Sequence, residues 1–153
     1  MVDKEFGGRL QARRGQLIDA FGEAGVVAAW QGRMLGLACW DRDAGDPSAA
    51  EVTCLVVASG QRQRGIGRAI VDGVVAALTA EGVRRIWLVT TNDNLAALRL
   101  YQRAGFRLTA LRPGAVDEAR RTLKPSIGQI GDNDIPIRDE LELEMELGLE
   151  TSS

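Results

Sequence analysis

Histidine is absent from the 153 residues of this chain, and cysteine occurs only twice, as Cys39 and Cys54. The first absence removes the usual proton shuttle and the commonest metal ligand, and it excludes Ser-His and Cys-His nucleophilic dyads. Two cysteines without metal-ligand spacing are expected to be buried free thiols in a reducing cytoplasm, with no disulfide framework and no metal site. The chemistry must therefore use carboxylates, hydroxyls, thiols or backbone groups.

Long apolar runs and an excess of positive charge are also missing. No run approaches the roughly 20 residues that cross a bilayer, and the N-terminus has no signal-peptide pattern, so we expect neither a membrane anchor nor export. The 19 basic and 21 acidic residues leave a net charge of -2, which gives no reason to expect nucleic acid as a partner. With 45% apolar but only 5% aromatic residues, 1–153 is predicted to be one domain with an aliphatic core.

Hydrophobic patterning predicts six strands. Runs rich in β-branched residues are typical of buried strands, whereas the strict Leu and Glu alternation near the C-terminus is typical of a half-buried one. Gln31-Gly32-Arg33 predicts a tight hairpin, and Asp46-Pro47-Ser48 predicts a loop over 41–50. The predicted strands are 26–30, 34–40, 51–58, 84–91, 106–111 and 138–147. The predicted solvated face of the last strand consists of Glu142, Glu144 and Glu146.

Two segments have the 3.6-residue spacing of amphipathic helices. The first covers 65–80 and is ended by Gly82. The second begins after an expected N-cap, Asn94, and is ended by Gly105. Their order among the strands from 51 to 111 predicts a layered α/β sheet with helices packed on it.

The remaining segments are less regular. Residues 1–25 contain five glycines, and a helix over 9–21 is weakened by Gly15. Residues 112–137 contain three of the four prolines and predict a long excursion with a short helix at 115–123. Excursions of this length inside compact domains are uncommon and often functional.

One predicted strand meets the first long helix at a turn rich in arginine and glycine. Backbone N–H groups at such a turn point outward at the positive end of the helix dipole, which suits a phosphate or pyrophosphate. The P-loop motif is absent, and the dinucleotide fingerprint would need a third glycine where Ile70 stands. An ordinary strand-to-helix turn is the alternative interpretation. The residues of the turn are Arg62, Gln63, Arg64, Gly65, Ile66, Gly67 and Arg68.

The turn resembles a signature of the GNAT superfamily of N-acetyltransferases, Arg/Gln-x-x-Gly-x-Gly/Ala, here Arg62-Gln63-Arg64-Gly65-Ile66-Gly67. A second family segment, Asn-x-x-Ala-x-x-x-Tyr-x-x-x-Gly-Phe, matches Asn94, Ala97, Tyr101, Gly105 and Phe106. The resemblance is sharp over 51–107 and looser over 26–40, while 112–116 and 135–140 resemble a bacterial subgroup of unassigned substrate. It implies an α/β (α+β) domain with a mixed, largely antiparallel sheet, a splayed central strand pair and flanking helices.

The resemblance also implies that acetyl-CoA is the co-substrate. Its pantetheine arm would pair with the backbone of strand 51–58 where that strand splays from 84–91, as an added strand does. Its pyrophosphate would bind the backbone N–H groups of 62–67, with two arginine side chains adding charge. The implied cofactor-binding residues are Val56, Val57, Arg62, Gln63, Arg64, Gly65, Ile66, Gly67, Arg68, Asn94, Ala97 and Tyr101.

The implied reaction is direct attack of a primary amine on the thioester, without a covalent enzyme intermediate. An amine with a pKa around 10.4 is mostly protonated at pH 7, so a base would help. Glu51 resembles the family's catalytic glutamate by its distance from the glycine turn, and Asp93 is a second candidate. Tyr101 would protonate the departing thiolate. Each candidate has an alternative role: Glu51 is a solvent-facing carboxylate at the strand end, Asp93 is a turn residue, and Tyr101 packs in the core.

The resemblance implies that the acceptor is a small-molecule amine or a protein amine. Attraction of a cationic amine is the alternative role of Glu142, Glu144 and Glu146, for which a solvated strand face is the preferred interpretation. Only about 25 residues precede the first predicted hairpin, so the acceptor wall that the family builds from this region is short. The 112–137 excursion, or a second subunit in a homodimer, can replace that wall. The competing hypotheses are a non-catalytic acyl-CoA-binding sensor of the same fold and a structural dimerisation domain built on the Glu-alternating strand.

Overall fold

The computed structural model describes residues 10–19, 24–58 and 65–148, which form eight β-strands, three α-helices and one 3-10 turn. The strands are β1 (Leu10–Arg13), β2 (Gln16–Asp19), β3 (Ala24–Trp30), β4 (Arg33–Asp43), β5 (Asp46–Val57), β6 (Arg85–Thr91), β7 (Arg107–Arg112) and β8 (Glu140–Glu146). The helices are α1 (Ile66–Ala80), α2 (Leu95–Arg103) and α3 (Ala115–Thr122), and the 3-10 turn is Asp132–Asp134.

Six of the strands form one sheet in the order β3-β4-β5-β6-β8-β7, and β1 and β2 form a separate hairpin. Within the larger sheet only β5 and β6 are parallel, and every other neighbouring pair is antiparallel. The prediction of a mixed, largely antiparallel sheet with flanking helices is therefore confirmed. No helix in the described part of the chain is both long enough and apolar enough to cross a membrane.

Tight two-residue turns close the hairpins of this sheet. Gln31 and Gly32 have φ angles of 50° and 76°, the left-handed pair that matches the twist of the flanking strands. The predicted loop over 41–50 is wrong, because β4 continues to Asp43 and β5 begins at Asp46. Asp43 Oδ1 accepts a hydrogen bond of 2.9 Å from the backbone of Gly45, so the polar side chain closes the turn inside a continuous hairpin.

The N-terminal helix predicted over 9–21 is also wrong within the described residues. Leu10–Arg13 and Gln16–Asp19 pair as antiparallel strands. Arg14 and Gly15, with φ angles of 50° and 76°, form the turn between them. Gly15 was expected to weaken a helix, and its physical role is to provide the positive φ that this hairpin turn requires.

Helix α1 covers the sheet with the predicted stripe, in which Ile70, Val74 and Leu78 are buried. It packs against β3, β4 and β5. At Gly36 of β4 an added Cβ would lie 2.6 Å from the Val56 carbonyl oxygen and 2.7 Å from Ile70 Cδ1, so this glycine allows the helix to approach the sheet. The core shared by helices and sheet also contains Trp40, Val52, Ile86, Leu88, Tyr101, Phe106 and Leu143.

The predicted short helix in the excursion is confirmed as α3, and Arg120 on this helix organises the segment around it. Its guanidinium donates to the carbonyls of Ile127, Gly128 and Ile137 at 2.8 to 3.0 Å and to Asp117 at 2.8 Å. Four bonds from one half-buried arginine join the start and the end of the excursion.

Candidate functional site

The main sheet opens between β5 and β6. These strands pair only at Ala49↔Arg85, Ala50↔Ile86 and Glu51↔Trp87. Beyond the last pair, β5 continues to Val57 and β6 to Thr91 without pairing with each other. At about 3.3 Å per residue, the unpaired part of β5 is roughly 20 Å long. This is the splayed strand pair that the resemblance implies, and its closed end lies at Glu51.

A β-bulge explains why the strands separate there. Cys39 pairs with Cys54 but Trp40 pairs with Val52, which leaves Thr53 as an extra residue in β5. A bulge bends its strand and increases the local twist. Because this bulge directly follows the last β5–β6 pair, it turns the rest of β5 away from β6 while the β4–β5 pairing continues.

The N-terminus of α1 follows β5. Gly65 has a left-handed conformation with φ 78°, and its carbonyl accepts the first helical bond, from Ala69 at 3.0 Å. The N–H groups of Ile66, Gly67 and Arg68 have no helix carbonyl to bind. The first turn contains no acidic side chain, so this end of the helix suits an anion. The predicted contributions of Arg62, Gln63 and Arg64 lie outside the described residues.

The side chain of Arg68 is already engaged on the helix surface. Its Nε donates to Asp72 Oδ1 at 3.1 Å and its Nη1 to the Arg103 carbonyl at 3.2 Å. Arg68 therefore links α1 to the end of α2, and a contact of its backbone N–H with an anion stays a prediction. The two helices approach closely nearby, since an added Cβ at Gly67 would lie 3.3 Å from Leu100 Cδ2.

Tyr101 is buried on α2, with its ring edge-on to Phe106 at 5.3 Å. Burial, together with the nearby Cys54 thiol, raises the pKa of the Tyr101 phenol. Burial also raises the pKa of Cys54 to about 12, and the Cys39 thiol opposite adds to this rise. The phenol therefore keeps its proton at neutral pH. Neither cysteine forms a disulfide, and Cys54 is buried as expected whereas Cys39 is half-buried.

Glu51 is not the solvent-facing strand end that was the alternative interpretation. It lies inside β5, and its side chain is only 6% exposed. Arg13 of the N-terminal hairpin binds both of its carboxylate oxygens, through Nε and Nη2. Burial raises the pKa of Glu51, and the hydrogen bonds and charge of Arg13 oppose that rise. Sequence reasoning missed Arg13, because it assigned this segment to a helix.

The acidic row of β8 faces arginines, so the predicted solvated face is wrong for most of its length. Glu140 accepts from the backbone of Arg14 at 2.9 Å and from Arg112 at 2.8 Å. The next two residues of the row are half-buried: Glu142 pairs with Arg112 at 3.0 Å, and Glu144 with Arg85 at 3.1 Å. Glu146 alone of the three is exposed as predicted.

Trp87 lies among these charges. The guanidinium carbon of Arg14 lies 4.7 Å from the centroid of the indole ring and that of Arg13 lies 5.5 Å from it. The indole N–H donates to Asp43 Oδ2 at 3.2 Å, which fixes the ring. Stacked arginines on a fixed aromatic ring are a favourable cation–π arrangement.

Asp93, the second base candidate, binds the excursion. Its Oδ1 accepts from the Thr91 hydroxyl at 2.5 Å and its Oδ2 from the backbone N–H of Asp132 at 3.0 Å. At Gly131 an added Cβ would lie 2.6 Å from Asp93 Cγ, so the loop backbone packs directly on the carboxylate. Both oxygens are thus occupied by contacts that hold the excursion against the end of β6.

Asn94 is the predicted N-cap of α2. Its Oδ1 accepts from the backbone N–H of Ala97 at 3.1 Å. The cap is confirmed, and the cofactor contacts of both residues stay predictions. Across residues 10–19, 24–58 and 65–148, no three His, Cys, Asp or Glu side chains are grouped so that they could hold a metal ion.

Comparison with known sequences gives a family match. Residues 3–106 match the family model described as the Acetyltransferase (GNAT) family. The chain is 46% identical over 84 residues to the uncharacterized protein YxbD of Bacillus subtilis, covering 55% of this chain and 52% of that protein. It is 37% identical over 92 residues to a mycothiol acetyltransferase of Geodermatophilus obscurus, covering 56% of this chain and 30% of that protein. The chain thus spans about half or less of the curated relatives it matches.

The fold also matches solved structures. A Bacillus subtilis acetyltransferase crystallised in complex with CoA superposes with a TM-score of 0.70 at 21% identity, covering 96% of this chain and 82% of that chain. At this identity the likeness establishes the fold.

Proposed function

The chain belongs to the GNAT family of acetyltransferases, and on that premise we propose that it transfers the acetyl group of acetyl-CoA to a primary amine by direct attack. The observation that carries this proposal is the end of β5–β6 pairing at Glu51↔Trp87. It leaves a backbone edge of β5 available to an extended ligand, and it places a buried carboxylate at the closed end of the gap. The absence of a disulfide between the two cysteines is compatible with a reducing, cytoplasmic location.

Cofactor binding would use main-chain groups. The pantetheine arm is an extended chain with amides, and it can add to the unpaired edge of β5 at Val56 and Val57 as a further strand. The pyrophosphate would lie at the N-terminus of α1, where the N–H groups from Gly65 to Arg68 converge, with charge from Arg62 and Arg64. The Bacillus subtilis neighbour of the same fold was crystallised in complex with CoA, which supports CoA as the ligand.

Glu51 would act as the base. Its raised pKa brings it closer to the pH at which a general base works best. The carboxylate takes a proton from the ammonium group of the acceptor, and the neutral nitrogen then forms a bond to the thioester carbonyl carbon. The carbon–sulfur bond breaks, and the CoA thiolate takes the proton of the Tyr101 hydroxyl. The nitrogen releases its second proton to water, which gives the neutral amide. Solvent returns a proton to Tyr101 and removes one from Glu51.

The first test is calorimetric titration of the protein with acetyl-CoA and with desulfo-CoA. We expect micromolar binding of both, because the proposed contacts are made to the pantetheine and the pyrophosphate. Reversal of charge by Arg62→Glu and Arg64→Glu should weaken CoA far more than a dephosphorylated pantetheine analogue. Equal losses would remove the pyrophosphate assignment, and absence of binding to either ligand would remove the proposed function.

The second test separates catalysis from binding. We expect Tyr101→Phe to keep CoA affinity, since the ring still packs on Phe106, and to lose acetyl transfer by about 10²-fold or more, the range of general acid catalysis. The acceptor, a small-molecule amine or a protein amine, is identified by a screen. Analytical ultracentrifugation would detect a homodimer. If the dimer contributes to acceptor binding, the affinity for the acceptor should fall when the protein is diluted below the dimer dissociation constant.

A further inference from the structure

The turn of the β1–β2 hairpin reaches the main sheet at the closed end of the gap. Arg13 donates from Nε and Nη2 to the two oxygens of Glu51, a residue 38 positions away. The Arg13 side chain is 17% exposed and that of Glu51 is 6% exposed. The guanidinium also lies over Trp87, the β6 residue that pairs with Glu51. One arginine is thus fixed by both strands at the point where they separate.

The hairpin has a second attachment that does not use this side chain. The backbone N–H of Arg14 donates to the two carboxylate oxygens of Glu140 at 2.9 and 3.2 Å. Strand β1 also contacts α3. Substitution of Arg13 therefore removes the contact to Glu51 while the turn stays attached through its backbone.

We propose that Arg13 is a positioning residue that holds the Glu51 carboxylate at the closed end of the gap, in the orientation that accepts the proton of the acceptor amine. The inference rests on the proposed function, in which Glu51 is the base. Two parallel N–H···O bonds fix both the plane and the direction of a carboxylate. An ionised carboxylate can accept about four hydrogen bonds. The fork, meaning the paired Nε and Nη2 donors of Arg13, uses two of these positions, so the others remain for an amine.

Arg13 also controls the protonation of Glu51. The charged groups around this carboxyl are Arg13 on β1, Arg14 in the turn and Asp41 on β4. Burial and Asp41 raise the pKa of Glu51, whereas the two arginines lower it, and Arg13 contributes most of the lowering. Without Arg13 the Glu51 carboxyl would stay protonated to higher pH, and in that added pH range it could not accept a proton from the amine.

The experiment compares Arg13→Gln with Arg14→Gln as a matched control, because both variants remove a guanidinium near Trp87 and only the first breaks the fork. The readout is the pH dependence of thiol release from acetyl-CoA with a fixed acceptor pool of spermidine, lysine and a short peptide. In Arg13→Gln we expect the acid limb of the pH profile of kcat/KM to shift to higher pH by about one pH unit or more, because the carboxylate loses an opposite charge at contact distance. The rate then falls about tenfold on that limb and recovers at high pH.

The controls decide between the possible failures. Arg14→Gln should shift the acid limb much less than Arg13→Gln, because Arg14 contributes less to lowering the pKa of Glu51. Arg13→Lys keeps the charge but not the two parallel hydrogen bonds, so it should lower the rate with a smaller shift of the limb. If Arg13→Gln is not folded by circular dichroism, Arg13→Lys carries the test. If the folded Arg13 variants have the same pH profiles as the wild type, the inference about Arg13 is overturned while the proposed function is not. An unchanged rate in Glu51→Gln would remove Glu51 as the base and the inference with it, whereas absence of binding to acetyl-CoA and desulfo-CoA would overturn the proposed function.

Discussion

Asp93 was a candidate base, and the contacts of its carboxylate lead to a different expectation for its substitution. It is buried, and it binds one hydroxyl and one backbone N–H. Asp93→Leu removes both acceptors and leaves two donors without partners. Hydrogen bonds to charged groups contribute about 1.5 to 3 kcal/mol each, so the expected loss in the free energy of unfolding is about 3 to 6 kcal/mol.

Asp93→Asn provides the matched comparison. Its amide oxygen can accept from the N–H of Asp132, and its amide nitrogen can donate to the Thr91 hydroxyl, which is able to accept. Only the charge assistance is lost, so we expect a cost of about 1 kcal/mol. For a chain of this size that corresponds to a fall in Tm of about 2 to 4 °C, against roughly 10 °C or more for the leucine variant.

The assay is urea denaturation followed by circular dichroism, with acetyl transfer measured on the same samples. The midpoint should fall with an unchanged m value, and the asparagine variant should keep most of its activity. Equal destabilisation by the two substitutions would refute the hydrogen-bond reasoning. An asparagine variant of native stability that loses 10²-fold or more in rate would instead make Asp93 the base.

Three further substitutions or modifications have defined outcomes. Gly131→Ala should destabilise the protein strongly, because its Cβ would overlap the Asp93 carboxylate. Gly128→Ala should be tolerated, because the atom nearest to its added Cβ lies at 3.7 Å. Thermal denaturation compares the two variants. Asn94→Ala removes the cap of α2 and should cost about 0.5 to 2 kcal/mol in urea denaturation, with no cost indicating that water replaces the cap. Cys54, with a pKa of about 12, should resist iodoacetamide at pH 8 in the native protein and react after denaturation; rapid native alkylation seen by mass spectrometry would contradict its burial.

Local signals predicted much of the sheet and the helices. The apolar stripe from Ile66 to Leu78 and the Asn94 cap both act within one or two turns of chain, and both were confirmed. The Gln31-Gly32 turn was predicted because apolar runs flank it. Arg14-Gly15 has the same turn conformation, but the flanking runs Leu10–Arg13 and Gln16–Asp19 are only four residues long and contain a single β-branched residue, so their strand signal is weak. The left-handed pair there was therefore missed.

The candidate site was predicted only where it depends on short motifs. The position of Glu51 in the chain could be read, but its partner Arg13 is 38 residues away and is brought to it by a hairpin turn. The acidic row of β8 shows the same limit. Alternation predicts which residues share a face, but Arg85 and Arg112 reach that face from neighbouring strands whose register is not encoded locally.

The three parallel pairs between β5 and β6 divide the sheet into two antiparallel halves, β3-β4-β5 and β6-β8-β7. Each half has antiparallel pairing along most of its strands, while the junction has only three residue pairs. Amide hydrogen exchange should therefore detect two cooperative units that open with different free energies. A ligand inserted in the gap as an extra strand would join these units, so that cofactor binding slows exchange in both halves at once.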